Sequence, residues 1–189
     1  MGNFTVAQVE ADVNYLMSSL DTNNRLIPSV AVLLRKSSFI PLLTILLSFI
    51  STAVFYFGSS WNEKTLDGFL HFFLTEGWVV VAPTIIIGVI FMLFTYNKLM
   101  MYLTVSADVR SKSVILTHLQ KLTVRIVKVF MLLMLFSVML ASTSPLFTFA
   151  IPVILLAMLF AIGLIVGAEI NRLGTGLALE KISNLIKKI

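Results

Sequence analysis

The charged residues of this chain are separated by gaps too long for a water-soluble fold. Between Lys36 and Glu63 lie 26 uncharged residues, between Glu76 and Lys98 lie 21, and between Lys128 and Glu169 lie 40. About twenty apolar residues cross the hydrocarbon core of a bilayer as a helix. The first gap, with its apolar heart at Phe39 to Phe57, and the second, Gly77 to Asn97, therefore each predict one span. The third gap predicts two, divided by the turn signal Ser142-Thr143-Ser144-Pro145. The expected spans are 39–57, 78–97, 124–141 and 146–168, and Pro41 is expected in the opening turn of the first, where its missing N–H costs nothing. Composition agrees: of 189 residues, 58% are hydrophobic and 12% charged, far from the soluble norm of about 45–50% and about 25%. Too small to hide so much apolar surface from water and too apolar to be disordered, the chain is read as an all-α polytopic membrane protein, a four-helix transmembrane bundle.

The asymmetry of charge predicts orientation, because Lys and Arg beside spans are retained on the cytoplasmic side. Thirteen basic residues fall in the N-terminal segment, the middle loop with its helix ends, and the tail, while Lys64 alone falls on the opposite side. Both termini are expected in the cytoplasm, with the inner membrane of a bacterium as the expected location. A signal peptide is not expected, because the first long apolar run begins only near position 39. The sequon Asn3-Phe4-Thr5 is placed inside the cell by the same topology.

Outside the spans the chain divides into a segment 1–37, the membrane domain 38–168 and a basic amphipathic tail 169–189. Val6, Val9, Val13, Leu16 and Leu20 recur at spacings of three and four, which predicts an amphipathic helix from Val6 to Leu20. Thr5 and Gln8 form a capping-box pattern, and Phe4 with Val9 has the spacing of a hydrophobic staple. Glu10 and Asp12 are read as favouring the early turns through the helix dipole. The apolar face could rest on the membrane or on the protein's own helices, or dock a partner. Acid on its polar face favours protein contact over lipid. Leu26 to Leu34 reads as a short interfacial helix leading to the first span.

In the middle loop, Leu116, Leu119, Leu122 and Ile126 predict a helix, with His118, Lys121, Arg125 and Lys128 on one basic face beside the membrane. Attraction to anionic lipid headgroups and enforcement of topology account for such a stripe; an acidic protein partner is the alternative. The loop on the other side predicts a helix from Leu66 to Thr75 capped by Thr65, with Trp61, Trp78 and Tyr56 as an aromatic belt.

The interiors of the spans hold no acid, which argues against a proton-coupled mechanism. Lys128, about one turn inside the third span, can reach the headgroups along its own stem. Cys is absent, and the two histidines, His71 and His118, are assigned to opposite sides of the membrane. No metal-ligand spacing, nucleophile elbow, phosphate loop or dinucleotide fingerprint occurs, so no catalytic residue, metal or cofactor is assigned and an enzyme is not expected. Net charge +5 follows from topology and implies no nucleic-acid partner.

Gly163 and Gly167 form a GxxxG, with Ala157 and Ala161 at the same spacing. Small residues so placed let helices approach closely, either within the bundle or between chains. The expected function is that of a non-enzymatic membrane protein acting through protein–protein interaction: an accessory, regulatory, immunity-type or exclusion-type subunit, whose partner is another protein or a second copy of the chain. The alternative is a transporter or channel subunit with a pathway lined by Ser, Thr and Asn97.

Overall fold

The computed structural model describes residues 4–21, 27–59 and 64–174, the side chains of 20 and 21 excepted; Trp61 and the tail from position 175 lie outside them. These residues are helical almost throughout, with no strand among them. Helix α1 spans Val6–Asp21, α2 Val30–Gly58, α3 Leu66–Phe72, α4 Trp78–Thr104, α5 Ala107–Lys112, α6 Val114–Leu140 and α7 Pro145–Arg172, and a π-helical turn at Phe73–Gly77 joins α3 to α4. Helices α2, α4, α6 and α7 are long and apolar enough to cross a membrane. At 27 to 29 residues each, they reach about 40 Å against a hydrocarbon core of about 30 Å. The chain is an integral membrane protein of the expected class.

Local chemistry sets the boundaries. Thr5 and Gln8 close the capping box in both directions: Thr5 N–H donates to Gln8 Oε1 at 3.1 Å and Gln8 N–H to Thr5 Oγ1 at 3.3 Å. Ser29, Thr65, Ser113 and Ser144 cap α2, α3, α6 and α7, each accepting a backbone N–H with its hydroxyl. Pro145 follows Ser144 at the first position of α7, and the division of the long third gap falls where the turn signal put it.

Three boundaries differ from expectation. No separate interfacial helix precedes the first span, because α2 runs unbroken from Val30. Pro41 therefore sits deep inside a helix rather than at its start, buried against α4 where Gly88 leaves room: a Cβ on Gly88 would lie 3.4 Å from the Pro41 ring. The helix begun at Leu66 does not stop at Thr75; it passes through the π-helical turn into α4, giving one run from Leu66 to Thr104. The middle-loop helix likewise is not separate from the third span, since α6 begins at Val114 and continues to Leu140.

Helices α2 and α7 each pack against the other three long helices, while α4 and α6 stand at opposite corners. The apolar core is Leu47, Phe91, Met134, Val138, Ile151, Leu155 and Met158. Methionines fill part of it, Met134 being fully buried, whereas Met139 faces outward. Hydroxyls are buried beside it: Thr44, Ser48, Ser51 and Thr52 of α2, Thr84 of α4, Ser137 of α6 and Thr148 of α7. Thr84 Oγ1 lies 3.2 Å from Ser48 Oγ across the α2–α4 seam, and Ser137 Oγ donates to the Phe147 carbonyl at 2.7 Å. At the end remote from α1, Phe69 is buried in a ring cluster with Phe49, Tyr56, Phe57 and Phe73. That cluster, rather than the membrane surface, holds Tyr56 and one face of α3.

Among the described glycines, the tightest approach is where the end of α2 meets the turn between α6 and α7. A Cβ on Gly58 would sit 2.5 Å from Ser142 Cβ, whereas a Cβ on Gly163 would meet nothing within 4 Å. Gly58→Ala should lower the thermal midpoint in detergent by the equivalent of about 1–3 kcal/mol, and Gly163→Ala should leave it unchanged or slightly raised; melting curves of the two purified variants compare them.

Candidate functional site

The most elaborate polar arrangement lies at the basic end of the bundle, where α1 lies across the elbow between α4 and α6. That elbow is α5, a short helix set off by extended residues at Val105 and Ser113. Leu16 of α1 is 2% exposed and packs with Val105, flanked by Met17, Met101, Val109 and Leu116. Removing such a side chain from water contributes about 1.5–3 kcal/mol.

One turn earlier on the same face, Asp12 is 8% exposed. Its carboxylate accepts three hydrogen bonds from the start of α6: Ser113 Oγ at 2.8 Å, Ile115 N–H at 3.0 Å and Val114 N–H at 3.2 Å. The first amides of a helix have no partner within it, and the helix dipole places positive potential there. Asp12 supplies both the acceptor and the negative charge from 101 residues away in sequence. Its role in the early turns of α1 is thus corrected: buried against α6, its carboxylate serves the dipole of that helix instead of its own. Ser113 remains the local cap, accepting from Leu116 N–H at 3.2 Å while donating to Asp12.

A second link closes the far side. His118 Nε2 lies 2.8 Å from Glu169 Oε1 of α7, and Arg172 Nη2 meets the same oxygen at 2.5 Å. The Phe4 ring stands edge-on to His118, its centroid 5.0 Å away, so Phe4 touches α6. At the elbow, the Arg110 guanidinium lies 4.8 Å from the Tyr102 ring centroid, and Tyr102 O–H donates to Gln120 Oε1. Helices α1, α4, α5, α6 and α7 thus meet in one clasp.

The predicted docking face is accordingly divided. Leu16 is consumed by the chain's own elbow, Val9 and Val13 are half-buried, and Val6 is 76% exposed at the helix start. Leu20 belongs to α1, but its side chain lies outside the described residues. The basic stripe divides too. His118 turns toward α7, whereas Lys121, Arg125 and Lys128 remain exposed without an ion pair among the described residues.

Gly163 and Gly167 do not pack within the bundle. They open outward beside exposed Phe160 and Leu164, with Ala157 exposed and Ala161 half-exposed. The close approaches inside the bundle use Gly58, Gly77 and Gly88 instead. The chemistry of the described residues remains spare: none of their His, Asp and Glu groupings could hold a metal ion. No protein-family model, curated protein or solved structure matches this chain.

Only part of the burial of Asp12 is visible in the local sequence. It flanks the apolar stripe, three residues after Val9 and four before Leu16, but Glu10 flanks the other edge in the same way, four after Val6 and three before Val13, so spacing alone does not tell the buried acid from the exposed one. Asp12→Ala should free the start of α6 at a cost of about 1–3 kcal/mol, the penalty for buried donors left without an acceptor. Faster hydrogen exchange at Val114 and Ile115 and faster tryptic cleavage after Arg110 or Lys112 would register the loss; Glu10→Ala, at an exposed site, should change neither.

Proposed function

We propose that this is a non-enzymatic membrane protein that works by binding another protein within the bilayer, as an accessory, regulatory, immunity-type or exclusion-type subunit of a larger assembly. The observation that carries this reading is the uncovered face of α7. Gly163 and Gly167 leave a shallow lane on the outer surface, bordered by Ala157 and Ala161. Small residues are where helices in lipid approach most closely, and the bundle itself leaves this lane unused. The occupant is a transmembrane helix, of a partner or of a second copy.

The clasp supports the same reading from the other end of the molecule. By engaging Leu16 and Asp12, it makes α1 part of a fixed platform, and the partner-facing part of that helix becomes its exposed surface, including Val6 and Tyr15. We place the clasp in the cytoplasm, from the excess of Lys and Arg at that end, and the protein in a bacterial inner membrane.

Photo-crosslinking in intact membranes tests the proposal. A photoreactive residue at Gly163 should give one consistent protein adduct, of this chain or of a partner, while one at the lipid-facing position Phe136 should give lipid adducts. Lipid adducts alone from Gly163 would overturn the assignment. Deleting residues 1 to 24 should leave insertion intact and abolish the protein's activity in its host, and a reporter fused after Ile189 should read out on the cytoplasmic side.

A further inference from the structure

Beside the clasp, α5 and α6 form an open cleft of about 350 Å³ whose lining includes Phe4, Lys112, Ser113, Val114, His118 and Lys121. Two cations, Lys112 at the end of α5 and Lys121 two turns into α6, flank it. Neither has an ion-pair partner among the described residues. Of the acids nearby, Asp12 is engaged by three donors of the α6 start and Glu169 by His118 and Arg172, and Asp108, one turn before Lys112 on α5, makes no ion pair with it. Phe4 and Val114 add an apolar wall to this basic rim. The depth is informative as well. A hydrocarbon core of about 30 Å takes about twenty helical residues, which counted back from the end of α6 at Leu140 reach Lys121, so the cleft lies at the level of lipid headgroups.

We propose that this cleft seats a phosphate group between Lys112 and Lys121, and that the phosphate belongs to an anionic phospholipid whose acyl chains descend along the exposed side of α6. The pair of lysines supplies the charge, and the Phe4 side contacts the glycerol region. A general positive belt differs from such a seat in one testable respect. Binding to the belt depends on total charge, so Lys121, Arg125 and Lys128 would count alike, whereas the seat depends on the two cations that share the cleft.

The test uses the full chain purified in detergent, with retention of phosphatidylglycerol and of phosphatidylcholine measured by native mass spectrometry. The wild-type protein should retain phosphatidylglycerol selectively. Lys112→Gln with Lys121→Gln should weaken that retention about tenfold or more, while Arg125→Gln with Lys128→Gln, removing the same charge, should weaken it by no more than about twofold. All four side chains are exposed, so both variants should fold, and matching circular dichroism spectra verify that they do. Equal loss in the two double variants, or no loss in the first, overturns the seat. Inorganic phosphate is the other arm: if it displaces the lipid at millimolar concentration from wild-type protein, the seat stands but takes a soluble phosphate; if it does not, the lipid is the ligand.

Discussion

A lipid tail is as apolar as a leucine side chain, so large hydrophobic residues gain little by leaving lipid for the space between helices. The architecture follows from that constraint. Phe39, Leu42, Leu46, Phe94, Phe136, Leu146 and Phe160 all face outward, which in water would mark an aggregating surface. The seams are left to residues whose small size permits close approach, or whose hydroxyls would be costly to leave unpartnered in hydrocarbon. Thr44 donates to the Pro41 carbonyl, Thr52 to that of Ser48 and Thr84 to that of Val80. Such bonds satisfy each hydroxyl within its own helix, and the side chain stays compact enough to bury. Pro41 and Gly88 form a complementary pair in the same seam, ring against missing side chain.

Where the chain leaves the hydrocarbon, the rules of water return and the structure changes character. Leu16 is inside because its burial removes it from solvent, and Asp12 beside it is inside because three donors meet its charge. A buried carboxylate lacking such partners would be prohibitively costly; with them it becomes a positional constraint, since sliding α1 along α6 would part it from three donors that all lie within 3.2 Å. The pairing of Glu169 with His118 and Arg172 ties α7 to the same platform. The basic end is thereby fixed by polar geometry, while the remote end is held by rings, with Phe69 set among Phe49, Tyr56 and Phe57.

How much of this could be read from the residues depended on range. Signals within one helix were clear: the capping box of Thr5 and Gln8, the Thr65 cap and the Ser144-Pro145 start of α7 all formed where the sequence placed them. Signals about continuity were less so. The uncharged runs fixed which residues cross but not where the helices begin, because helices run on past the apolar boundary once backbone bonding is under way; α2, α4 and α6 all extend beyond their expected spans. Partnership was least legible. The GxxxG of α7 is the conventional packing signal, yet the bundle packs through Gly58, Gly77 and Gly88, each isolated in sequence. A glycine's usefulness depends on what stands opposite, and Ser142, Thr52 and Pro41 lie in other elements of the chain, Ser142 in the turn between α6 and α7. Asp12 was missed for the same reason: its acceptors' partners are encoded a hundred residues later.

The competing transporter reading meets the packing directly. A pathway through one copy would have to run between the long helices, and that space is occupied by Phe91, Met134, Ile151, Leu155 and Met158, all buried. Of the buried hydroxyls along such a route, Thr44, Thr52, Thr84 and Thr148 donate to carbonyls of their own helices and Ser137 to the Phe147 carbonyl of α7, while Ser51 is buried without a partner among the described residues. Asn97 and Lys128, polar groups near the ends of the apolar belt, are both exposed. Transport would therefore require several copies to enclose a path between them, an arrangement that itself depends on helix–helix recognition in lipid. Both readings thus rest on association through the outer faces of the bundle, and binding is the simpler of the two because it asks nothing further of the same contacts.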